Sequence, residues 1–213
     1  MPPSLPDPES PLKQWLDAIA APTAAPAGGA AAALAGALGA ALVQMVAGLT
    51  TEREKYAGVH DLARRSRQKA ERLRDGMIAL AARDARAFEG FMRALALPAT
   101  TSEERERRSR AKTDALSAGA AVQLELLAHL AQVAELSLEI AEQGLASAAG
   151  DAATGAFLAL GAARSAYWSV RSNLAEVGGG VADRERVGAA KSLLDRVEDY
   201  ERRARHLLEG RVP

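Results

Sequence analysis

Residues 20–51 read AAPTAAPAGGAAAALAGALGAALVQMVAGLTT, and the fold turns on them. Pro22 and Pro26 force a turn, Gly28 and Gly29 follow, and from there to about Leu49 the chain is uncharged and built mostly from Ala, Gly, Leu and Val. Alanine and leucine favour the helix, and a helix that is apolar all round has to be enclosed by other elements. The run from Ala27 to Leu49 also has the length of a membrane span. Its content argues against one: Gly36, Gly39, Gln44 and Gly48 interrupt it, and it lacks the large aliphatic centre and the aromatic or basic anchors of a span. The reading is a central helix buried inside a helical protein. At its start, Gly28 and Gly29 leave bare backbone N–H groups at a helix N-terminus, which favours an anion or a developing oxyanion.

Working outward, the composition supports the same class. With 213 residues, 48% of them hydrophobic, the chain has enough apolar material for one continuous core. Aromatics are only 4%, so the core is built from Ala, Leu and Val and suits closely packed helices. Lys plus Arg and Asp plus Glu number 27 each, so no bulk field draws the protein to nucleic acid or to an anionic membrane, and neither is expected as a partner. The absence of cysteine excludes disulfides and thiolate metal sites. His60, His129 and His206 stand apart without ligand spacing, and no metal is expected. No phosphate loop, zinc motif or nucleophile elbow is present. The start, MPPSLPDPESP, has no basic region followed by an apolar one, and the expectation is a cytoplasmic protein.

Punctuation along the chain divides it into helices. Residues 1–9 are expected to form a flexible Pro-rich arm and 10–213 a single helical domain, opened by a short helix through Leu12, Trp15, Leu16 and Ile19. Thr50, Thr51 and Glu52 offer capping for a helix that follows the central one and runs to Leu97-Pro98, with Gly58 and Gly76 as candidate kinks. Thr101 or Ser102, with Glu103 and Glu104, starts the next. Gly150-Asp151 is read as the next break, after which a helix continues to about Val177. Gly178-Gly179-Gly180 then turns the chain into an amphipathic helix over 183–208. Strand-like alternation and internal repeats are absent. The prediction is an all-α, antiparallel bundle of five or six helices.

Asp84 is the strongest candidate for chemistry on physical grounds. In helical steps it shares a face with Met77, Leu80, Ala81, Ala87, Phe88, Phe91 and Leu95, while Arg83, Arg86, Gly90 and Arg93 lie on another. A carboxylate in an apolar stripe is costly unless partnered, and its pKa rises toward the range useful for acid–base work. The alternative is a core aspartate that caps a neighbouring helix or pairs with an arginine. Lys55 and Arg53 are placed to hold an anionic tail or simply lie exposed at a helix start. Asp151 points into a cleft or serves as an N-cap, and Tyr56 stacks on a ring or fills core. Asn173 shares a face with Ala166, Ser169, Val170 and Val177, where a buried amide must be paired.

Several short motifs occur together in order. They are Pro26-Ala27-Gly28-Gly29 opening the Ala-rich helix that ends Met45-Val46-x-x-Leu49-Thr50, Asp84-Ala85-x-Ala87-Phe88, Leu97-Pro98, Thr101-x-Glu103-Glu104-x-x-x-Arg108, Asp151-Ala152 and Val170-x-x-Asn173-Leu174. Over residues 12–177 the chain thereby resembles the formiminotransferase-cyclodeaminase and methenyltetrahydrofolate cyclohydrolase family. The resemblance implies a helical homodimer acting on a tetrahydrofolate one-carbon unit, with folate as substrate and no cofactor. It implies Asp84 as the acid–base group, with Gly28, Gly29, Lys55, Tyr56, Arg108, Asp151 and Asn173 binding substrate. Methenyltetrahydrofolate hydrolysis is preferred, because no formiminotransferase segment accompanies the chain. The alternatives are formiminotetrahydrofolate cyclodeaminase and a non-catalytic folate-binding or assembly paralogue. Departures from the family pattern fall on polar positions: Ala27 and Ala30 replace a glycine and a serine, and only Lys55 and Tyr56 remain of a basic Gly-Lys-Lys-Lys-Tyr run. Ala99, Leu145 and Gly150 replace Lys, Asn and Ser, and Gln123 stands where a proline is usual.

Overall fold

Thr101 shows how local sequence sets the element boundaries. Its hydroxyl accepts from the Glu104 N–H at 3.1 Å while the Glu104 carboxylate accepts from the Thr101 N–H at 3.0 Å, a reciprocal capping box that opens a 42-residue helix. In the computed structural model, which describes residues 5–211, six α-helices follow one another. They are α1 (Leu12–Ala20), α2 (Gly28–Thr51), α3 (His60–Leu95), α4 (Ser102–Gln143), α5 (Ala149–Val177) and α6 (Val181–Glu209). No strand occurs among the described residues, and the predicted all-α bundle is the observed class. The first four residues of the expected N-terminal arm lie outside the described residues. Beyond them Asp7–Ser10 forms a hydrogen-bonded turn and Pro6 is buried.

The uncharged helix α2 is long and apolar enough to cross a membrane by length and composition, and here it is packed by α3, α5 and α4. Its small residues set the spacing. A Cβ on Gly39 would lie 2.9 Å from the Gly155 carbonyl oxygen of α5, so the two backbones touch where only hydrogen fits. Gly39→Ala is therefore expected to cost about 1–3 kcal/mol despite alanine's better helix propensity, because the obstacle is backbone that cannot rotate away. Chemical denaturation reads this directly, and an unchanged midpoint would show that the helices separate freely. Leu126, Leu127, Leu130 and Val133 of α4, Met77 and Leu80 of α3, and Trp15 of α1 complete the buried core.

Three boundaries differ from the sequence reading. Thr50 and Thr51 end α2 and do not cap the next helix. The Thr50 hydroxyl donates to the Val46 carbonyl at 2.8 Å and accepts from the Leu145 N–H at 3.0 Å, so its hydrogen bonds are already committed. A 3₁₀ segment, Glu54–Val59, then intervenes, non-helical at Tyr56, and contains Gly58. Gly76 lies inside the continuous α3, where the His129 ring passes over its Cα. The break before α5 falls at Gly144-Leu145 and the 3₁₀ turn Ala146–Ala148, so Gly150 and Asp151 sit in the first turn of α5. Gly178 and Gly179, with φ of 121° and 66°, make the α5–α6 turn in the region that favours glycine.

Candidate functional site

Asp84 lies on α3 where that helix passes the N-terminus of α2. Gln123 Nε2 of α4 donates to Asp84 Oδ1 at 2.6 Å, and the Ala30 N–H, in the first turn of α2, also favours the carboxylate. Gly29 makes this approach possible: a Cβ there would lie 2.5 Å from both carboxylate oxygens and 2.3 Å from Gln123 Nε2. The anion drawn to the helix N-terminus is thus the protein's own Asp84. Burial pushes the Asp84 carboxyl above its ordinary range, and the Gln123 and Ala30 donors offset part of that rise.

The carboxylate opens into a cleft of about 140 Å³ between α3, α4 and α5. Its walls include Phe88 and Phe91, whose ring centroids are 6.0 Å apart, with Leu116 opposite and Asn173 and Glu176 contributing polar groups. Asn173 packs against Gly119, where an added Cβ would come within 2.9 Å of its amide nitrogen. Leu116 and Glu176 also line a second hollow, of about 260 Å³, that carries Arg105, Arg108 and Lys112. Arg105 is turned onto the Thr100 carbonyl at 2.7 Å. Among the described residues Arg108 and Lys112 have no ion-pair partner. The first cleft is smaller than the roughly 300 Å³ at which drug-sized pockets begin, so it suits one ring system, and the cationic hollow continues from it. A larger hollow of about 420 Å³, between α5 and α6 at Trp168 and Arg171, reaches none of these groups.

The expected site residues fall into two sets. Gly29, Asp84 and Asn173 come together, Arg108 lies in the adjoining hollow, and Gly28 is the exposed first residue of α2. Lys55, Tyr56 and Asp151 lie at the other end of the bundle. Tyr56 Oη accepts from the Ala146 N–H at 3.1 Å and pins the α4–α5 turn, Lys55 stands exposed 6.0 Å from the centre of that ring, and Asp151 is exposed in the first turn of α5. The 22 helical steps of α2 from Gly29 to Thr51 span about 33 Å at 1.5 Å per residue.

Sequence reasoning missed Gln123, Glu176 and Lys112 as neighbours of this site. A lone amide at helical spacing among Leu116, Ala120, Leu127 and Leu130 was the available signal for the first. The spacing of Glu176, three residues beyond Asn173 on one helix face, was the signal for the second. Among the described residues no three His, Asp or Glu side chains converge as a metal site would require.

The chain is similar to proteins of folate metabolism. It is 32% identical over 162 residues to a methenyltetrahydrofolate cyclohydrolase of Methylorubrum extorquens, covering 76% of this chain and 78% of that protein. It is 29% identical over 167 residues to the formimidoyltransferase-cyclodeaminase of Gallus gallus, where the match takes in 78% of this chain and only 31% of the longer protein. The crystal structure of formiminotetrahydrofolate cyclodeaminase from Thermotoga maritima superposes with a TM-score of 0.85 at 25% identity, covering 95% of this chain and 97% of that one. The model of the formiminotransferase-cyclodeaminase family matches residues 11–193, and the chain belongs to that family.

Proposed function

We propose that the protein hydrolyses 5,10-methenyltetrahydrofolate to 10-formyltetrahydrofolate. The observation that carries this reading is a carboxylate held at the end of an aromatic-walled cleft that continues into a cationic hollow. Phe88 and Phe91 offer faces for a flat heterocycle, Asn173 supplies an amide to orient it, and Arg108 and Lys112 meet an anionic tail. If they do so, KM rises with ionic strength; a KM indifferent to salt removes them from the reading.

Water adds to the methenyl carbon between N5 and N10, the resulting tetrahedral carbon loses its bond to N5, and one proton leaves overall. Asp84, ionised, takes a proton from the attacking water and returns one to N5 as the ring opens; before that, its charge favours the cationic substrate. No cofactor enters this scheme. The similarity along nearly the whole of both chains to the Thermotoga cyclodeaminase favours a second reading, closure of a 5-formimino group onto N10 with loss of ammonia. Both reactions pass through a tetrahedral carbon between two nitrogens and ask the same proton transfers of Asp84. The decisive experiment follows the ultraviolet absorbance of the methenyl compound, supplied as substrate or formed from the 5-formimino compound. Accelerated loss supports the hydrolase, accelerated appearance the deaminase, and neither above the spontaneous rate would leave a non-catalytic member of the family.

The distance between the two sets of residues bears on assembly. Asp151 lies on the start of α5, which runs past Gly39 and Val43 in the middle of α2 before its Asn173 reaches the Asp84 cleft, and two copies paired antiparallel would bring the two sets of residues together. Leu38 and Met45 of α2 and Phe157 of α5 stand 52%, 43% and 37% exposed between those sets, an apolar stripe suited to a two-fold contact. We therefore expect a homodimer. Light scattering measures it, and Leu38→Glu should yield monomers; a wild-type monomer at micromolar concentration would rule out the shared site.

A further inference from the structure

Gln123 is almost wholly enclosed, at 1% exposure, on the face of α4 that carries the buried Leu116, Ala120, Leu127 and Leu130. Its amide nitrogen has one partner, Asp84 Oδ1. Its amide oxygen has none among the described residues. A buried amide satisfied at one end only is a poor packing residue, because the orphaned acceptor carries a desolvation penalty that an apolar side chain of the same length avoids. What the amide supplies, and no apolar residue does, is a donor to Asp84.

We propose that Gln123 is a positioning residue for Asp84: by donating to Oδ1 it fixes the carboxylate's rotation, leaves Oδ2 as the oxygen that exchanges the proton, and sustains the ionised form inside an apolar cleft. Among the described residues no cationic side chain pairs with Asp84. Helix α2 brings no charged side chain. On α3 itself the adjacent Arg83 is turned to Glu125 of α4 at 2.8 Å. Helix α5 brings the neutral Asn173 and the carboxyl of Glu176 into the same cleft, and among the described residues neither donates a hydrogen bond to Asp84. Arg108 and Lys112 lie in the adjoining hollow, beyond Leu116 and Glu176. Among the described residues Gln123 is thus the one side chain that donates to a carboxyl that burial holds above its ordinary range. The proposal rests on the reading of Asp84 as the acid–base group.

The test replaces Gln123 by Met, which keeps the length and removes the donor, and by Glu. Ionisation of Asp84 is followed directly by carbon-13 NMR of carboxyl-labelled aspartate, with Asp84→Asn assigning the signal. In Gln123→Met the Asp84 midpoint is expected to rise by about one pH unit or more. The acid limb of kcat should move with it, with KM little changed and the melting temperature not lowered. In Gln123→Glu the two carboxyls share a proton and Asp84 titrates in two steps. A purely structural amide would instead give a lower melting temperature with the Asp84 midpoint in place, and that result overturns the proposal. Should the Met variant fail to fold, the Glu variant gives the same reading, and single-step titration at the wild-type midpoint counts against the proposal. The two readings fail separately. A midpoint that moves in a protein inert on both folates keeps the positioning role and removes the enzyme. Turnover lost in Asp84→Asn with an unmoved midpoint in Gln123→Met does the reverse.

Discussion

Asp84→Asn is expected to lower turnover by about 10²- to 10⁴-fold, the usual contribution of a positioned acid–base group, with KM changed far less. The amide is nearly isosteric and still accepts from Gln123, so the fold should survive, and the pH dependence of stability then identifies what the carboxylate was doing. The Asp84 carboxyl sits above its ordinary value of 3.8 in the folded protein. Below the unfolded value both states hold the proton, and the wild type suffers nothing from the site. As pH climbs from there through the folded value, the unfolded chain ionises first and wild-type stability falls; above the folded value the loss is complete and constant. Asparagine does not titrate. The melting temperature of Asp84→Asn relative to wild type should therefore rise with pH across that window and then level off. A difference that is flat with pH would mean that Asp84 titrates as an ordinary surface aspartate. A uniformly lower melting temperature with turnover intact would mean that it only secures the N-terminus of α2.

The sequence reached the fold and part of the site for identifiable reasons. The Ala-rich, uncharged α2, the Thr101–Glu104 capping box and the glycine run at 178–180 are local signals, and local hydrogen bonding and steric freedom decide them. The boundaries that moved were decided by distant residues instead. Thr50 spends its hydroxyl on Leu145, 95 positions away, and Tyr56 on Ala146, and no local pattern reports such bonds. Asp84 was legible because a carboxylate breaks an apolar stripe at helical spacing. The occupant of the helix N-terminus was not: Gly28 and Gly29 advertise an anion site, yet which anion fills it depends on how α3 is set against α2. Lys55, Tyr56 and Asp151 were grouped with Asp84 by resemblance, and only the packing places them at the far end of the bundle.

Gly29 concentrates this dependence in one hydrogen atom. In Gly29→Ala the new methyl would meet Asp84 Oδ1 and Oδ2 at 2.5 Å and Gln123 Nε2 at 2.3 Å, distances at which one side must yield. The neighbours are ends of side chains, unlike the Gly155 backbone that faces Gly39, so the cheaper response is for the carboxylate to rotate away. That breaks its bond to Gln123 and its approach to the Ala30 N–H. The helix gains up to about 1 kcal/mol from alanine's propensity, which offsets lost contacts, so stability should change little. Catalysis should not be spared: displacing the acid–base group by an ångström costs about 10²-fold. Gly28→Ala, one residue earlier with nothing within 4 Å of its Cβ, leaves Asp84 and Gln123 where they are. The pair of variants separates a glycine required for close approach from one that is merely adjacent. Because the effect of Gly29→Ala runs through Asp84, combining it with Asp84→Asn should add almost nothing to the loss from Asp84→Asn alone. Additive losses in that double variant would show that the methyl obstructs the substrate itself.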